Sequence, residues 1–468
     1  MLTNLSFLDT GKPWPPPQEE KRLERYAAHR KLFEGEHGEV YRQQLARIQR
    51  EVGAFEDIIG YVVVPNYQRL ISVKTADLLA GEPPEITIGT GDKKKSLTDM
   101  FAGALSGTDL QQTIYQAAID ISRYGDALLK VEKDKGRGVS IGAAQPANWF
   151  PVVDGVNTKR FLYHVVAWAE DGPDGEDESR RLHVQVHARG SYTYTVYALG
   201  KGTIGAVVQP ARKYSTGLSG FAVFPLQGLM TSDSVYGYDD YTPIDSIASE
   251  IMVVIGNISR ILDKHAAPSM QGPGQVLDDD GKGGYRLPTG NYFLRNSNEE
   301  PPIEYITWDG QLSAAFAHLK NLLEQLYVIS EMGEAILGTN THQGVTTYKG
   351  LKLRMTAALS KVRRISAGIT AQVKAAICAA LQLEGAGTAQ PSEISIWWND
   401  GIPDDPLEAM QLIQLENGGL PTMSHERSIK IAGKMTDEQA AAEYADILED
   451  QARAMPAVQL PPEEDDAE

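Results

Sequence analysis

Cysteine is almost missing from this chain: Cys378 stands alone among 468 residues. A single thiol closes no internal disulfide, which excludes a disulfide-stapled secreted domain, and a cysteine-rich zinc module is excluded with it. Long apolar runs are missing too. The most apolar window, Ile251 to Ile261, is interrupted by Gly256, Asn257, Ser259 and Arg260, far short of the ~20 apolar residues that span a bilayer. Met1 to Pro17 holds no continuous apolar leader of the kind a signal peptide needs. Positive charge is scarce, with 44 Lys and Arg against 62 Asp and Glu, a net charge of −18. That balance excludes a conventional duplex-DNA clamp, which needs a basic footprint against phosphates. These absences describe a soluble chain, folded in a reducing cytoplasm and without a membrane partner.

What is present is ordinary in bulk and informative in order. Apolar residues make up 42% and charged residues 23%, and at about 150 residues per domain the length corresponds to roughly three domains. Helical spacing predicts helices over Gln18–Phe33, Glu39–Arg50, Pro65–Leu79 and Asp109–Tyr124. The pattern then changes to period two, with strands expected at 127–131, 161–168, 182–187 and 192–199. Helices followed by an antiparallel sheet define an α+β fold.

Further along, Thr242-Pro243-Ile244-Asp245 reads as a helix start, with Thr as N-cap and Pro at the first position. Apolar residues then step through Ile244, Ile247, Ile251, Val254, Ile258 and Ile261, a seam for packing on a second helix. That second helix is expected over Leu312–Met332, with Leu319, Leu323 and Leu326 on its apolar face. Between them lies a Gly/Pro/Asp-rich insert with short strands at 291–295 and 303–307. A polar loop, Gly338 to Gly344, precedes the longest helical pattern, Thr346 to Leu383, roughly 57 Å if unbroken. A strand at Ile394–Trp398, three short helices from Leu407 to Arg453 and an acidic, disordered tail complete the chain.

Enzyme motifs are largely absent. No phosphate-binding G-x-x-x-x-G-K-[ST], no G-x-S-x-G and no H-E-x-x-H occurs. Gly200-x-Gly202-x-x-Gly205 precedes a strand rather than a helix, so it reads as a hairpin turn and not a dinucleotide site. His183 and His187, four apart on a strand, are some 13 Å apart and read as solvated. Asp278-Asp279-Asp280-Gly281 has Thr289 at the twelfth position, where a calcium loop needs Glu, and reads as an acidic turn. No catalytic, cofactor or metal residue is expected. Charge is unevenly spread: residues 335–383 hold seven bases and no acid, whereas 404–468 hold sixteen acids and four bases. The basic helix therefore packs on acidic neighbours, approaches nucleic acid, or does both.

The order of these pieces resembles the portal proteins of tailed bacteriophages, of the siphovirus type. The likeness is carried by Lys31-Leu-Phe-Glu-Gly-Glu-His37, by Val64-Pro-Asn-Tyr67 followed by Leu78-Leu-Ala-Gly-Glu-Pro-Pro84, and by Pro146-Ala-Asn-Trp-Phe-Pro-Val-Val-Asp154. It continues through Ile394 to Asp405 and Gly419 to Ser424 and covers most of residues 20 to 455. The loop Asn340 to Val345 departs from it, since many relatives show Ser-Gly there.

The resemblance implies a ring, usually of twelve subunits, at one capsid vertex of a virion assembled in the host cytoplasm. Double-stranded DNA would pass through it, non-specifically, during packaging and ejection. On this mapping 1–20 is an arm, 21–241 a wing, 242–266 and 310–334 stem helices, and 267–309 a clip. Residues 335–345 form the tunnel loop, 346–403 the long helix and return strand, 404–455 a crown and 456–468 the tail. Thr339, Asn340, Thr341, His342 and Gln343, with Lys349 and Lys352, would face DNA. Ile247, Ile251, Val254 and Ile258 would pack on Leu319, Leu323 and Leu326. Asp278, Asp279, Asp280, Lys282 and Arg286 would dock partners: the terminase large subunit, then a head-completion or adaptor protein. Capsid and scaffolding proteins are further implied partners. Two other classes remain open on the sequence, an adaptor-like capsid protein and a cytosolic α+β hydrolase.

Overall fold

The structure, a computed structural model, describes residues 1–51, 62–89, 97, 99–101, 109–134, 136, 138–171, 180–266, 270–271, 278–279, 285–286, 304–305, 312–337, 348–385, 389–399, 406–417, 423–433 and 437–454. They fall into two compact units, Met1–Gly344 with Leu351–Gly401, and Val345–Gly350 with Ile402–Glu468. Mixed helix and antiparallel sheet make the fold α+β.

The first helix, α1 (Pro17–Glu34), ends at Gly35, where the amides of Gly35 and Glu36 reach back to Leu32 and Lys31. The helix expected over Glu39–Arg50 is instead three short turns, α2 (His37–Val40), α3 (Arg42–Leu45) and a 3-10 segment, Ala46–Glu51. Next, α4 (Tyr67–Ala80) starts two residues after Pro65, because the Asn66 carboxamide accepts from the Arg69 amide at 2.9 Å and caps the helix. The same side chain donates to Phe33 O at 3.2 Å, tying α4 to the end of α1. A short strand, β1 (Glu85–Ile88), precedes α5 (Leu110–Tyr124), capped by Asp109.

Eight strands follow: β2 (Asp126–Asp134), β3 (Gly138–Ala144), β4 (Trp149–Val153), β5 (Phe161–Glu170), β6 (Arg181–Ala188), β7 (Ser191–Gly200), β8 (Thr203–Ser215) and β9 (Val223–Gln227). They form two sheets, β3-β2-β9 and β4-β5-β6-β7-β8. The glycine-rich motif is the β7–β8 hairpin, with Lys201 at φ 49° and Gly202 at φ 71° in a two-residue turn. Both φ values are positive, as the hairpin turn requires.

The N-terminal arm lies on the larger sheet. Leu2 bridges Val152, and Leu2, Phe7 and Leu8 are buried against Phe150, Val152, Val165 and Leu182. At α5's end the chain is pinned by a close crossing. Gly125 has φ +87°, and a Cβ on it would meet Gly237 O at 2.4 Å; a Cβ on Gly237 would meet Gly125 O at 2.1 Å.

The histidine expectation is corrected here. His187 and His164 are buried, and His183 lies between Trp168 (ring centroids 5.2 Å) and Tyr194, whose hydroxyl is 2.7 Å from its Nδ1. This face of the sheet is covered because β2 lies over it: Lys130 Nζ donates to Gln185 Oε1 at 3.1 Å, and Leu128 packs with Trp149, Val166 and Val223.

Then come α6 (Asp245–Ala266), the short strands β10 (Met270–Gln271), β11 (Asp278–Asp279), β12 (Tyr285–Arg286) and β13 (Glu304–Tyr305), and α7 (Leu312–Ile329). β10 pairs with β13 and β11 with β12, so Asp278 and Asp279 sit in a strand rather than a turn. The expected strand at 291–295 lies outside the described residues. α6 begins three residues later than its start signals because Asp239 intercepts them. Its carboxylate accepts from the amides of Tyr241 and Thr242 and from the Thr242 hydroxyl, at 3.0, 2.7 and 3.1 Å.

A short α8 (Gly333–Leu337) precedes α9 (Tyr348–Arg354) and α10 (Thr356–Glu384). The single long helix of the sequence reading is thus broken at Met355, where the Thr356 hydroxyl takes the carbonyls of Lys352 and Leu353. α10, about 44 Å long, is long and apolar enough to cross a bilayer. In this fold its apolar face forms the main core: Leu359, Val362, Ile365, Ile369, Val373 and Ile377 are buried with α4, α5 and the β3-β2-β9 sheet. Gly368 permits that approach, since a Cβ there would lie 3.0 Å from Gln227 O. β14 (Ile394–Trp397) pairs with β1.

In the second unit, α11 (Pro406–Asn417), α12 (His425–Gly433) and α13 (Asp437–Ala454) fall close to their expected bounds. The Ser428 hydroxyl bonds Asn417 at 3.1 Å, and His425 stacks on Tyr444. The acidic tail lies outside the described residues.

Candidate functional site

Of the residues singled out from the sequence, the packing set lies on the α6–α7 pair. α6 carries two apolar faces rather than one. Ile244, Ile247, Ile251 and Ile255 join Leu319, Leu322, Leu323 and Leu326 in the main core cluster. Met252 and Val253 turn the other way, onto Leu32, Tyr41, Leu45 and Ile48. Of the expected packing set, Ile247, Ile251, Leu319, Leu323 and Leu326 are therefore brought together. Ile258 is buried outside that cluster, and Val254 is half-buried. The second face was not anticipated, although Met252 and Val253 stand in the sequence directly beside Ile251. At the foot of α6, Asp245 accepts from the Tyr41 hydroxyl at 2.7 Å, and burial raises its carboxyl above the usual range.

α7 is the odd element. Twelve of its eighteen residues are apolar, yet Leu326 is its one buried side chain. Phe316 is 51% exposed, Val328 76% and Ile329 45%. Fully covering such a side chain is worth about 1.5–3 kcal/mol, so α7 is left well short of the burial its composition allows.

The basic stretch divides sharply. Lys361 is buried, its Nζ 2.8 Å from Asp240 Oδ1 and 3.2 Å from Ser330 O. One turn on, Arg364 meets Glu331 at 2.5 Å. These two bases pack on acidic neighbours within their own unit. Lys352 and Arg354, on α9, are half-buried, and Lys349 lies on the same helix. Thr339, Asn340, Thr341, His342 and Gln343 lie outside the described residues, as do Asp280 and Lys282. Asp278, Asp279 and Arg286 are placed in β11 and β12, with Asp278 opposite Arg286 in register.

Elsewhere, a cleft of about 580 Å³ between α1, α5 and β5 is lined by Trp14, Tyr26, Arg30, Asp120, Arg123 and Trp168. Burial pushes the Asp120 carboxyl up to about 6, and Arg123 partners it at 2.8 Å. Among the described residues no group of three or more His, Cys, Asp or Glu side chains is placed to hold a metal ion.

No protein-family description matches the chain, and no curated protein matches it. Solved structures similar to it include the neck of a native gene transfer agent particle computed with C12 symmetry, at 12% identity and a TM-score of 0.43, covering 78% of this chain and 89% of that one. Another is a chain of the virion of a native gene transfer agent particle, at 12% identity and TM-score 0.43, covering 91% and 96%. A third is the neck of an empty particle computed with C6 symmetry, at 12% identity and TM-score 0.41, covering 78% and 88%. At these TM-scores the likeness carries no weight of its own, and the chain's own residues decide.

Proposed function

We propose that this chain is the subunit of a portal, a homo-oligomeric ring at a capsid vertex through which double-stranded DNA is packaged and released. The observation that carries the reading is α7, an apolar helix with one buried side chain. In a ring, neighbouring copies supply the missing cover for Phe316, Val328 and Ile329. The motifs that carry the family resemblance are structural joints: Asn66 ties α4 to α1, and Pro146 and Trp149 offer carbonyls to Arg22 on α1. A net charge of −18 per copy suits a conduit, because an acidic channel repels phosphates and lets the duplex slide. On this reading residues 339–343, with Lys349 and Lys352, face the DNA. The segment 267–309 docks the motor that hydrolyses ATP and later the head-completion protein.

The test is the native mass of the purified protein, with the variant Ile251→Asp beside it. A ring of about a dozen subunits is expected for the wild type. Ile251 is fully buried, and an unpaired buried charge costs about 3–5 kcal/mol, so the variant should yield no rings. A wild-type monomer or dimer overturns the proposal, and normal rings from Ile251→Asp overturn the stem assignment within it.

A further inference from the structure

The start of α6 and the end of α7 meet the body beside one another. Asp240 stands shortly before α6 and Ser330 immediately after α7. A single ammonium, Lys361 Nζ on α10, holds both: Asp240 Oδ1 at 2.8 Å and Ser330 O at 3.2 Å. Lys361 is 4% exposed, while the Asp240 side chain keeps 18% of its surface exposed. The other Asp240 oxygen accepts from the Ser122 hydroxyl at 2.5 Å, and Ser122 and Tyr241 both bond Ser72, at 3.0 and 2.8 Å. The outgoing end is thus anchored independently of the lysine. Around Ser330 the polar fastenings of the returning end are Lys361 on its carbonyl and the Arg364–Glu331 pair at 2.5 Å, beside the buried apolar contacts of Leu326 and Met332 with the main core.

Two further features mark this as a joint that can open. Glu331 sits at φ +59°, a left-handed conformation that strains a side-chain-bearing residue. A small cavity of about 110 Å³ beside the pair is lined by Asp240, Ser330, Glu331, Lys361 and Arg364 together with Ile121, Leu229, Ile329 and Ile365, large enough to hold water against its polar groups.

We propose that Lys361, supported by Arg364, is an ionic latch that fastens the returning end of α7 to α10, and that its release frees that end without unfolding the body. A buried ion pair adds little net stability over a well-packed apolar substitute; what it fixes is position. The inference concerns this chain alone and holds whether or not the chain forms a portal.

Hydrogen exchange on the full-length protein tests it, comparing wild type with Lys361→Met, Asp240→Asn and Arg364→Gln. In Lys361→Met, amides of 328–333 should exchange at least ten-fold faster while those of 362–377 in α10 keep their protection. Arg364→Gln should give a smaller acceleration at the same amides. Asp240→Asn leaves Lys361 on the Ser330 carbonyl and serves as the control, while Arg364→Gln supplies the reading if Lys361→Met fails to fold. Unchanged exchange at 328–333 in folded Lys361→Met or Arg364→Gln, or acceleration spread equally over 362–377, overturns the latch.

Discussion

The N-terminal body and the α6–α7 pair solve opposite problems. The body buries polar groups and satisfies them. Arg22, 7% exposed, donates to Glu19 at 2.7 Å and to the carbonyls of Pro146 and Trp149. Glu19 also accepts from the Tyr236 hydroxyl at 2.7 Å. Asp126, fully buried, accepts from Tyr26, Gln227 and the Gly237 amide at 2.6, 2.9 and 3.0 Å. α7 does the reverse and leaves apolar groups uncovered. In the body Arg22, Glu19 and Asp126 are partnered internally, with His37 Nδ1 and His187 Nδ1 among the exceptions, so its charged groups need no further surface. A region that exposes Phe316, Val328 and Ile329 gains when a further surface arrives. The difference teaches where to look for assembly: at the unfinished element rather than the richest network.

The comparison breaks most severely at Arg22. Arg22→Ala leaves Glu19 buried without its cation, and the loss of one partner from a buried pair costs about 3–5 kcal/mol. Denaturant unfolding of the isolated chain should register that loss; a change under about 1 kcal/mol would mean that the body is not held by this network. A smaller effect is expected from acid. Burial lowers His164 and His187 to about 3, with the positive charge of Lys130 a further cause for His187. Both are held neutral in the fold, while the unfolded chain binds protons below its ordinary value near 6.5. Their stabilisation is therefore present above pH 6.5 and is lost as the pH falls from there towards 3. At pH 5 each histidine removes roughly 2 kcal/mol relative to pH 7. His187→Gln should shrink the difference between the two pH values by that amount, and an unchanged difference would show the ring to be hydrated. The smallest effect on the single chain belongs to the other region. Val328→Ser alters a side chain that is 76% exposed, so monomer stability should stay within about 0.5 kcal/mol. Self-association, followed by sedimentation against concentration, should weaken about ten-fold; unaltered association would place the contact elsewhere.

Local signals were legible wherever a single residue decides them. The helical spacing after Asp109 gives α5, the Lys201-Gly202 turn closes its hairpin, and the period-three-and-four seam places Ile247 and Ile251 with Leu319 and Leu323. Signals were misread where a distant side chain competes. Thr242 was a convincing cap until Asp239 took its amide and its hydroxyl. The break at Met355 has no breaker residue at it to announce it. β4 and β9 escaped notice because Pro151 and Pro225 sit inside them; both strands are sheet edges, where a missing amide is tolerated. The burial of His164 and His187 needs two sheets to meet, and no spacing within β6 announces that. In the candidate site, the seam was visible but not the second face of α6, and Lys361 was indistinguishable from the other bases of its stretch.

The crossing of Gly125 and Gly237 has a consequence for inheritance. Each position excludes a Cβ because the other's carbonyl occupies the space, at 2.4 and 2.1 Å. A change at either is blocked by the partner, and changing both adds a second clash instead of relieving the first. No sequence of single tolerated steps leads away from this pair. A library randomised at both codons and selected for folded protein should return glycine at 125 and 237 together, making the two positions a marker by which diverged copies of this fold can be aligned.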